Sequence, residues 1–162
     1  MVKWLIENGS ADASKVCITG FSYGGYLTCY ALTYASDVFT HGMAGGSVTD
    51  WTLYDSHYTE RFMGTPANNP EGYISSNVMT HASKYKGMIQ IVHGMIDDNV
   101  HIQNSIQFIS KLQDLKKDFD FMPYSGGRHG WGGNKGMHFQ NMKTKFIYKY
   151  LLEKEVPKTL LK

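Results

Sequence analysis

The sequence predicts an α/β fold with about four mainly parallel strands and flanking helices, for two reasons. Short apolar runs at residues 16–20, 42–48, 87–92 and 119–124 have the length and composition of buried strands. Segments with helical character lie between or beside them, at residues 2–8, 24–36, 58–63, 77–84, 102–115 and 135–152. Strands that alternate with helices are typical of a parallel sheet, because each return to the same edge needs a crossover.

The first predicted strand leads into the most informative motif of the chain. Gly20, Ser22 and Gly24 form a Gly-x-Ser-x-Gly pattern between this strand and the following helix. In a nucleophile elbow of this kind the turn is tight, the serine oxygen projects above the sheet, and small residues let strand and helix pass closely. The helix directs its first amides to the same place, so the Tyr23 N–H is a candidate oxyanion donor. So short a pattern also occurs by chance, and its catalytic partners therefore decide its meaning.

Two later strand ends carry the partners that a nucleophilic serine needs. Asp97 and Asp98 follow the strand at residues 87–92, and the register of the motif favours Asp97, with Asp98 as a loop cap or solvated charge. His129 lies in the glycine-rich loop after the strand at residues 119–124. His93 lies at a strand end itself, where a packed core histidine is the more typical role. The order Ser, Asp, His is that of the α/β-hydrolase fold, and successive parallel strands end at one edge of the sheet.

Composition excludes several other classes of function. The 162 residues carry 16 basic and 14 acidic side chains, a formal net charge of +2. The basic residues are scattered, which argues against nucleic-acid binding, and no apolar run is long enough for a transmembrane helix. No set of histidines, cysteines and carboxylates has metal-ligand spacing, so we expect neither metal nor cofactor.

Three segments together resemble the catalytic domain of the prolyl oligopeptidase family, and within it the dipeptidyl peptidase IV-like enzymes. They are the elbow at residues 20–25, an aromatic block at residues 51–64 and the stretch at residues 93–101. The resemblance runs from about Lys3 to about Leu152, and the aromatic block is far more specific than the elbow. It implies that Ser22 is the nucleophile, Asp97 the orienting acid and His129 the general base.

The resemblance also implies a pocket for the residue before the scissile bond, usually proline. The implied lining residues are Tyr23, Val48, Trp51, Tyr54, Tyr58 and Val100, and Asn99 is implied to bind the carbonyl of the second substrate residue. Flat aromatic faces suit a compact ring that lacks an N–H. Trp51, Tyr54 and Tyr58 are spaced by three and four, so on a helix they would share one side. Without the resemblance, such spacing is more typical of an aromatic stripe that faces the core.

Four strands are about half of the sheet expected for an α/β-hydrolase domain. We therefore expect residues 1–162 to be the C-terminal half of that domain, with the first half of the sheet and an upstream β-propeller missing. The edge at residues 16–20 would then be open, which predicts a homodimer or a strand-swapped assembly. The resemblance to bacterial enzymes suggests a periplasmic parent protein.

Three functions are compatible with the sequence. The first is a serine exopeptidase that releases N-terminal dipeptides ending in proline or alanine through an acyl-enzyme. The second is an esterase-type serine hydrolase, since the fold does not dictate the acyl group. The third is a catalytically silent piece that self-associates through its open edge. The aromatic block favours the first, because an esterase does not require it.

Overall fold

The computed structural model describes residues 1–161, which form one four-stranded sheet with helices between the strands. The strands are β1 (Cys17–Phe21), β2 (His41–Gly45), β3 (Met88–Gly94) and β4 (Asp120–Tyr124). Their order in the sheet is the order of the chain, and each neighbouring pair is parallel. The predicted α/β class with four parallel strands is confirmed.

The helices provide the crossovers that parallel pairing requires. They are α1 (Val2–Glu7), α2 (Tyr23–Tyr34), α3 (Ser56–Met63), α4 (Pro70–Ser76), α5 (Val78–His81), α6 (Gln103–Asp114) and α7 (Gly133–Phe146). A π-helical segment, Ile147–Leu152, continues α7, so the helix predicted over residues 135–152 changes its hydrogen-bond pattern after Phe146. Among the described residues, no helix has the length and hydropathy to cross a membrane.

Helix α4 is not among the predicted helical segments, and it begins in a stretch, residues 64–72, that is dense in turn-forming residues. The Asn69 side chain accepts a hydrogen bond from the backbone N–H of Gly72 at 3.1 Å, and Pro70 occupies the start of the helix. Asparagine and proline are turn formers, yet they are also the residues that favour the N-cap and first position of a helix. The same residue types therefore begin α4, and the loop before the helix ends at Asn69.

The core lies between the sheet and the helices α2, α5 and α6. Its fully buried members include Leu32 of α2, Val78 of α5, Ile89 and Ile91 of β3, and Phe108 of α6. Strand β3 is buried along nearly its whole length, as expected for an interior strand, whereas β1 is only partly buried. In the part of the chain that the structure describes, β1 pairs with β2 alone. Self-association through this edge stays a prediction.

Glycine at the elbow is needed for the close packing of β1 against α2. A Cβ atom added to Gly20 would lie 2.2 Å from the backbone oxygen of Gly24, and one added to Gly25 would lie 2.6 Å from the backbone oxygen of Gly45. A Cβ atom added to Gly24 would meet no atom within 4 Å. The expectation that Gly24 must be small on its own account is therefore wrong. Gly20 and Gly25 are the two positions of this motif region where a side chain would clash with backbone atoms.

We expect Gly20→Ala to destabilise the fold and Gly24→Ala to be tolerated. The first substitution forces two backbones apart, and overpacking of this kind costs about 1–3 kcal/mol. The second fills open space within a helix, where replacing glycine contributes about 0.5–1 kcal/mol of stability. Urea unfolding of the two variants beside the wild type measures the difference. Equal destabilisation by both substitutions would contradict the packing described above.

Candidate active site

Ser22 lies on a sharp turn between the last residue of β1 and the first residue of α2. Its φ of 59° and ψ of −119° are rare for a residue with a side chain, and such a backbone costs about 1–3 kcal/mol. Two hydrogen bonds hold the turn: the Ser22 N–H donates to the Gly45 carbonyl at 2.8 Å, and its own carbonyl accepts from the Tyr26 N–H at 2.9 Å. The predicted elbow is therefore present, and it raises the Ser22 hydroxyl above the sheet edge.

A chain of hydrogen bonds joins Ser22, His129 and Asp97. The Nε2 atom of His129 lies 2.9 Å from the Ser22 Oγ, and its Nδ1 atom lies 2.8 Å from Oδ2 of Asp97. Since a carboxylate only accepts, Nδ1 carries the proton, and in the neutral ring Nε2 accepts the serine hydroxyl. The three residues come from the ends of β1, β3 and β4, as the parallel sheet predicts.

The structure discriminates between the two candidate aspartates. Asp97 is 3% exposed, and its second oxygen, Oδ1, accepts from the backbone N–H groups of Asn99 at 3.0 Å and Val100 at 2.9 Å. Asp98 is exposed and forms an ion pair with Arg128 instead. The carboxylate that meets His129 is therefore that of Asp97, the one favoured by the motif register.

His93 is fully buried and contacts the same loop at Val100. Its Nε2 atom lies 2.8 Å from the Val100 carbonyl, which can only accept, so Nδ1 is left to accept from the Ser105 hydroxyl at 2.7 Å. Burial lowers the pKa of His93, and the nearby Val100 carbonyl and Asp97 oppose that effect only in part. His93 is thus a neutral core histidine, in the role that its position at a strand end favours.

Close packing brings the histidine loop, residues 125–132, against the end of β3. A Cβ atom added to Gly94 would lie 2.1 Å from the carbonyl oxygen of Arg128, so only glycine allows this approach. On the other side, the Phe21 ring meets the His129 ring edge to face at 5.4 Å. Sequence reasoning did not single out Gly94 or Phe21 for this role. The sequence contained one indication for each residue: Phe21 directly precedes Ser22, and Gly94 lies at the end of a strand.

Four aromatic side chains, the aromatic cluster, pack together next to the elbow: Tyr23, Trp51, Tyr54 and Tyr58. Tyr23 directly follows Ser22, and its ring lies 5.6 Å from that of Trp51. Trp51 and Tyr58 are stacked at 6.1 Å, and the Tyr54 ring packs edge-on against both, at 6.0 Å and 5.5 Å. Trp51 belongs to a 3-10 turn and Tyr58 to α3. The three residues therefore meet without sharing one helix. The spacing of three and four predicted that the rings lie together, and they do. They are not brought together by one helix, as that spacing suggested.

A cavity of about 460 Å³ opens beside the aromatic cluster. Three of the predicted pocket residues line it, Tyr23, Trp51 and Tyr58, together with residues that were not predicted: Tyr26, Thr59, Phe62, Met63 and Ser76. The other predicted residues do not line this cavity. Val48 and Val100 are buried in or beside the core, while Tyr54 and Asn99 are hydrogen-bonded to each other at 2.7 Å. Within residues 1–161, no three histidines, cysteines or carboxylates are grouped so as to hold a metal ion.

The fold and this site define a class of α/β hydrolase, and comparison with known proteins identifies the family. The model of the prolyl oligopeptidase family matches residues 1–154, so the chain belongs to that family. It is 40% identical over 149 residues to human prolyl endopeptidase FAP, covering 90% of this chain and 20% of that protein. It is 43% identical over 125 residues to bovine dipeptidyl peptidase 4, covering 75% and 16%.

A solved structure supports the same assignment. The crystal structure of Porphyromonas gingivalis dipeptidyl peptidase 4 matches with a TM-score of 0.85 and 41% identity, over 88% of this chain and 20% of that one. Similarity to structures of this kind confirms the α/β-hydrolase character of the sheet. The chain spans about a fifth or less of the length of the curated relatives described here.

We expect the stability of the protein to fall as the pH decreases below about 6.5, the ordinary pKa of histidine. The pKa of buried His93 is lowered in the folded state, so the unfolded chain binds a proton that the folded chain does not. Stability is then lost with falling pH. Burial and the nearby Lys15 lower the pKa of His41 in the same direction.

Urea unfolding at pH 7.5 and pH 5.5 measures this effect. The decrease in unfolding free energy should be smaller in His93→Gln than in the wild type, because the group that gains the proton is gone. His57→Gln, at an exposed position, is the matched control and should keep the wild-type dependence. An unchanged decrease in His93→Gln would refute the assignment.

Proposed function

We propose that this chain carries the active site of a serine peptidase that cleaves after proline or alanine and releases N-terminal dipeptides. The observation that carries the proposal is the hydrogen-bonded chain Ser22–His129–Asp97 at one edge of the sheet. Family membership and the similarity to dipeptidyl peptidases support it. Its substrate is a peptide, and the chemistry needs no cofactor.

The proposed reaction follows from the positions of three side chains. His129 Nε2 removes the hydroxyl proton as Ser22 Oγ attacks the carbonyl carbon, and the Asp97 carboxylate stabilises the imidazolium that forms. The imidazolium then donates the proton to the leaving amine as the peptide bond breaks. Water, deprotonated by the same nitrogen, attacks the acyl-serine ester. The C–O bond to Ser22 Oγ then breaks, His129 returns the proton to that oxygen, and the dipeptide leaves as its carboxylic acid. Each half-reaction thus returns His129 to its neutral form.

The oxyanion of each tetrahedral intermediate needs a donor close to Ser22. Tyr23 is the first residue of α2, so its backbone N–H has no partner within the helix, and the helix dipole favours negative charge there. We therefore assign Tyr23 N–H as one oxyanion donor. Such donors typically contribute about a hundred- to a thousand-fold to turnover.

The aromatic cluster supports selection of proline before the scissile bond. Trp51, Tyr54 and Tyr58 pack ring against ring, and Trp51 shares its core cluster with the buried Val48 and Val100. Apolar contact stabilises the binding of a pyrrolidine ring, and because proline has no backbone N–H the pocket needs no acceptor for one. Asn99 offers an exposed amide to the carbonyl of the preceding substrate residue.

We expect a fluorophosphonate probe to label Ser22 in the wild type. The probe reports an activated serine, so labelling should disappear in Ser22→Ala and slow by about a thousand-fold or more in His129→Ala and Asp97→Asn. Asp98→Asn is the matched control for Asp97→Asn, since its carboxylate faces Arg128, and it should label like the wild type. Labelling rates come from intact-protein mass spectrometry.

Two results would argue against the proposal. Wild-type protein that folds but does not label would favour a catalytically silent piece. Equal effects of Asp97→Asn and Asp98→Asn would mean that the carboxylate bonded to His129 has no particular role in activating Ser22.

We expect hydrolysis of Gly-Pro-p-nitroanilide, with a requirement for the aromatic cluster that a simple ester does not share. Loss of one ring contact costs about 0.5–1.5 kcal/mol, so Tyr58→Ala should lower kcat/KM for the dipeptide substrate by about 2- to 13-fold. Hydrolysis of p-nitrophenyl acetate, which fills no proline pocket, should change less than about twofold. A chain that hydrolyses only the ester would favour the esterase-type alternative.

A further inference from the structure

We propose that Tyr54 is a positioning residue that acts through Asn99: its hydroxyl fixes the orientation of the Asn99 amide, so that the NH₂ group faces the substrate. The inference rests on the peptidase function proposed above and gives Tyr54 a role distinct from that of a pocket wall. The carrying observation is the hydrogen bond of 2.7 Å from the Tyr54 hydroxyl to Oδ1 of Asn99.

The Tyr54 hydroxyl is held in place by its surroundings. Its ring packs edge-on against Trp51 at 6.0 Å and against Tyr58 at 5.5 Å, so two aromatic neighbours hold the ring. The next residue, Asp55, caps α3 by accepting from the Tyr58 N–H at 2.8 Å, which fixes the backbone that follows. A donor anchored in this way can orient a more mobile partner.

Asn99 is anchored at its backbone and adjustable at its side chain. Its N–H donates to Oδ1 of Asp97 at 3.0 Å, which ties it to the carboxylate that orients His129, while the residue itself is exposed. An exposed amide can rotate and present either its oxygen or its NH₂ group to a ligand. Only the NH₂ group can donate to a carbonyl.

The hydrogen bond from Tyr54 selects one of these two orientations. A separation of 2.7 Å is typical of an O–H···O contact and shorter than the usual N–H···O distance. With Oδ1 occupied by the phenol, the two N–H donors of Nδ2 are left for the substrate. Burial, with the nearby negative charges of Asp55 and Asp97, raises the pKa of Tyr54, so the phenol remains a donor at neutral and mildly alkaline pH.

A double-mutant cycle tests whether Tyr54 acts through Asn99. Removing one hydrogen bond costs about 0.5–1.5 kcal/mol, so Tyr54→Phe should lower kcat/KM for Gly-Pro-p-nitroanilide by about 2- to 13-fold, mainly through KM. In the Asn99→Ala background the same substitution should have no further effect. For p-nitrophenyl acetate, which has no second carbonyl, neither substitution should matter. Tyr34→Phe, at the exposed far end of α2, is the matched control and should behave like the wild type.

Losses that multiply in the double variant would overturn the proposal, because Tyr54 would then contact the substrate itself. Equal losses for the ester would also overturn it, because they would indicate general damage to the site.

Nuclear magnetic resonance of the free protein separates this proposal from the peptidase function. The side-chain NH₂ resonances of Asn99, assigned through Asn99→Ala, should shift in Tyr54→Phe and stay unchanged in Tyr34→Phe. This readout needs no turnover, so it decides the contact even where the fluorophosphonate probe fails to label Ser22. Unchanged resonances in Tyr54→Phe would overturn the positioning role, whatever the activity.

Discussion

The arrangement of the site depends on one steric constraint, the close approach of two pairs of chain segments at the carboxyl edge of the sheet. Gly20 lets β1 pass against α2, and Gly94 lets the end of β3 pass against the loop that carries His129. A side chain at either position would meet backbone atoms, which cannot move aside without separating the strand from the helix or the loop packed against it. The distances of 2.9 Å and 2.8 Å on the two sides of the imidazole require both approaches at once.

Much of this arrangement could be predicted because parallel sheets impose it. Strands that alternate with helices end at a common edge, so a serine, an aspartate and a histidine that each follow a strand are expected to lie close together. The choice of Asp97 over Asp98 also followed from motif register, and the structure shows its cause. Asp97 is the residue whose Oδ1 closes the turn onto Asn99 and Val100, which directs Oδ2 to His129.

Other features could not be predicted because they depend on contacts between distant segments. Nothing local marks Gly94 as the residue that faces the Arg128 carbonyl. The adjacent glycines Gly24 and Gly25 likewise do not reveal from the sequence that Gly25 rather than Gly24 is crowded. Helix α4 was missed because asparagine and proline serve both turns and helix starts. The aromatic spacing suggested one helix, whereas a 3-10 turn and α3 supply the rings.

The loop at residues 95–100 connects the carboxylate of the candidate triad to the residues proposed to bind the substrate. Asp97 accepts from the backbone of Asn99, while the Asn99 side chain accepts from Tyr54 of the aromatic cluster. Buried His93 fixes the far end of the loop through the Val100 carbonyl. The carboxylate proposed to orient the base and the amide proposed to hold the substrate are therefore two groups of one hydrogen-bonded turn. In the proposed reaction, a change that moves this turn alters proton transfer and substrate binding together, whereas removal of the Tyr54 hydroxyl is expected to alter binding alone.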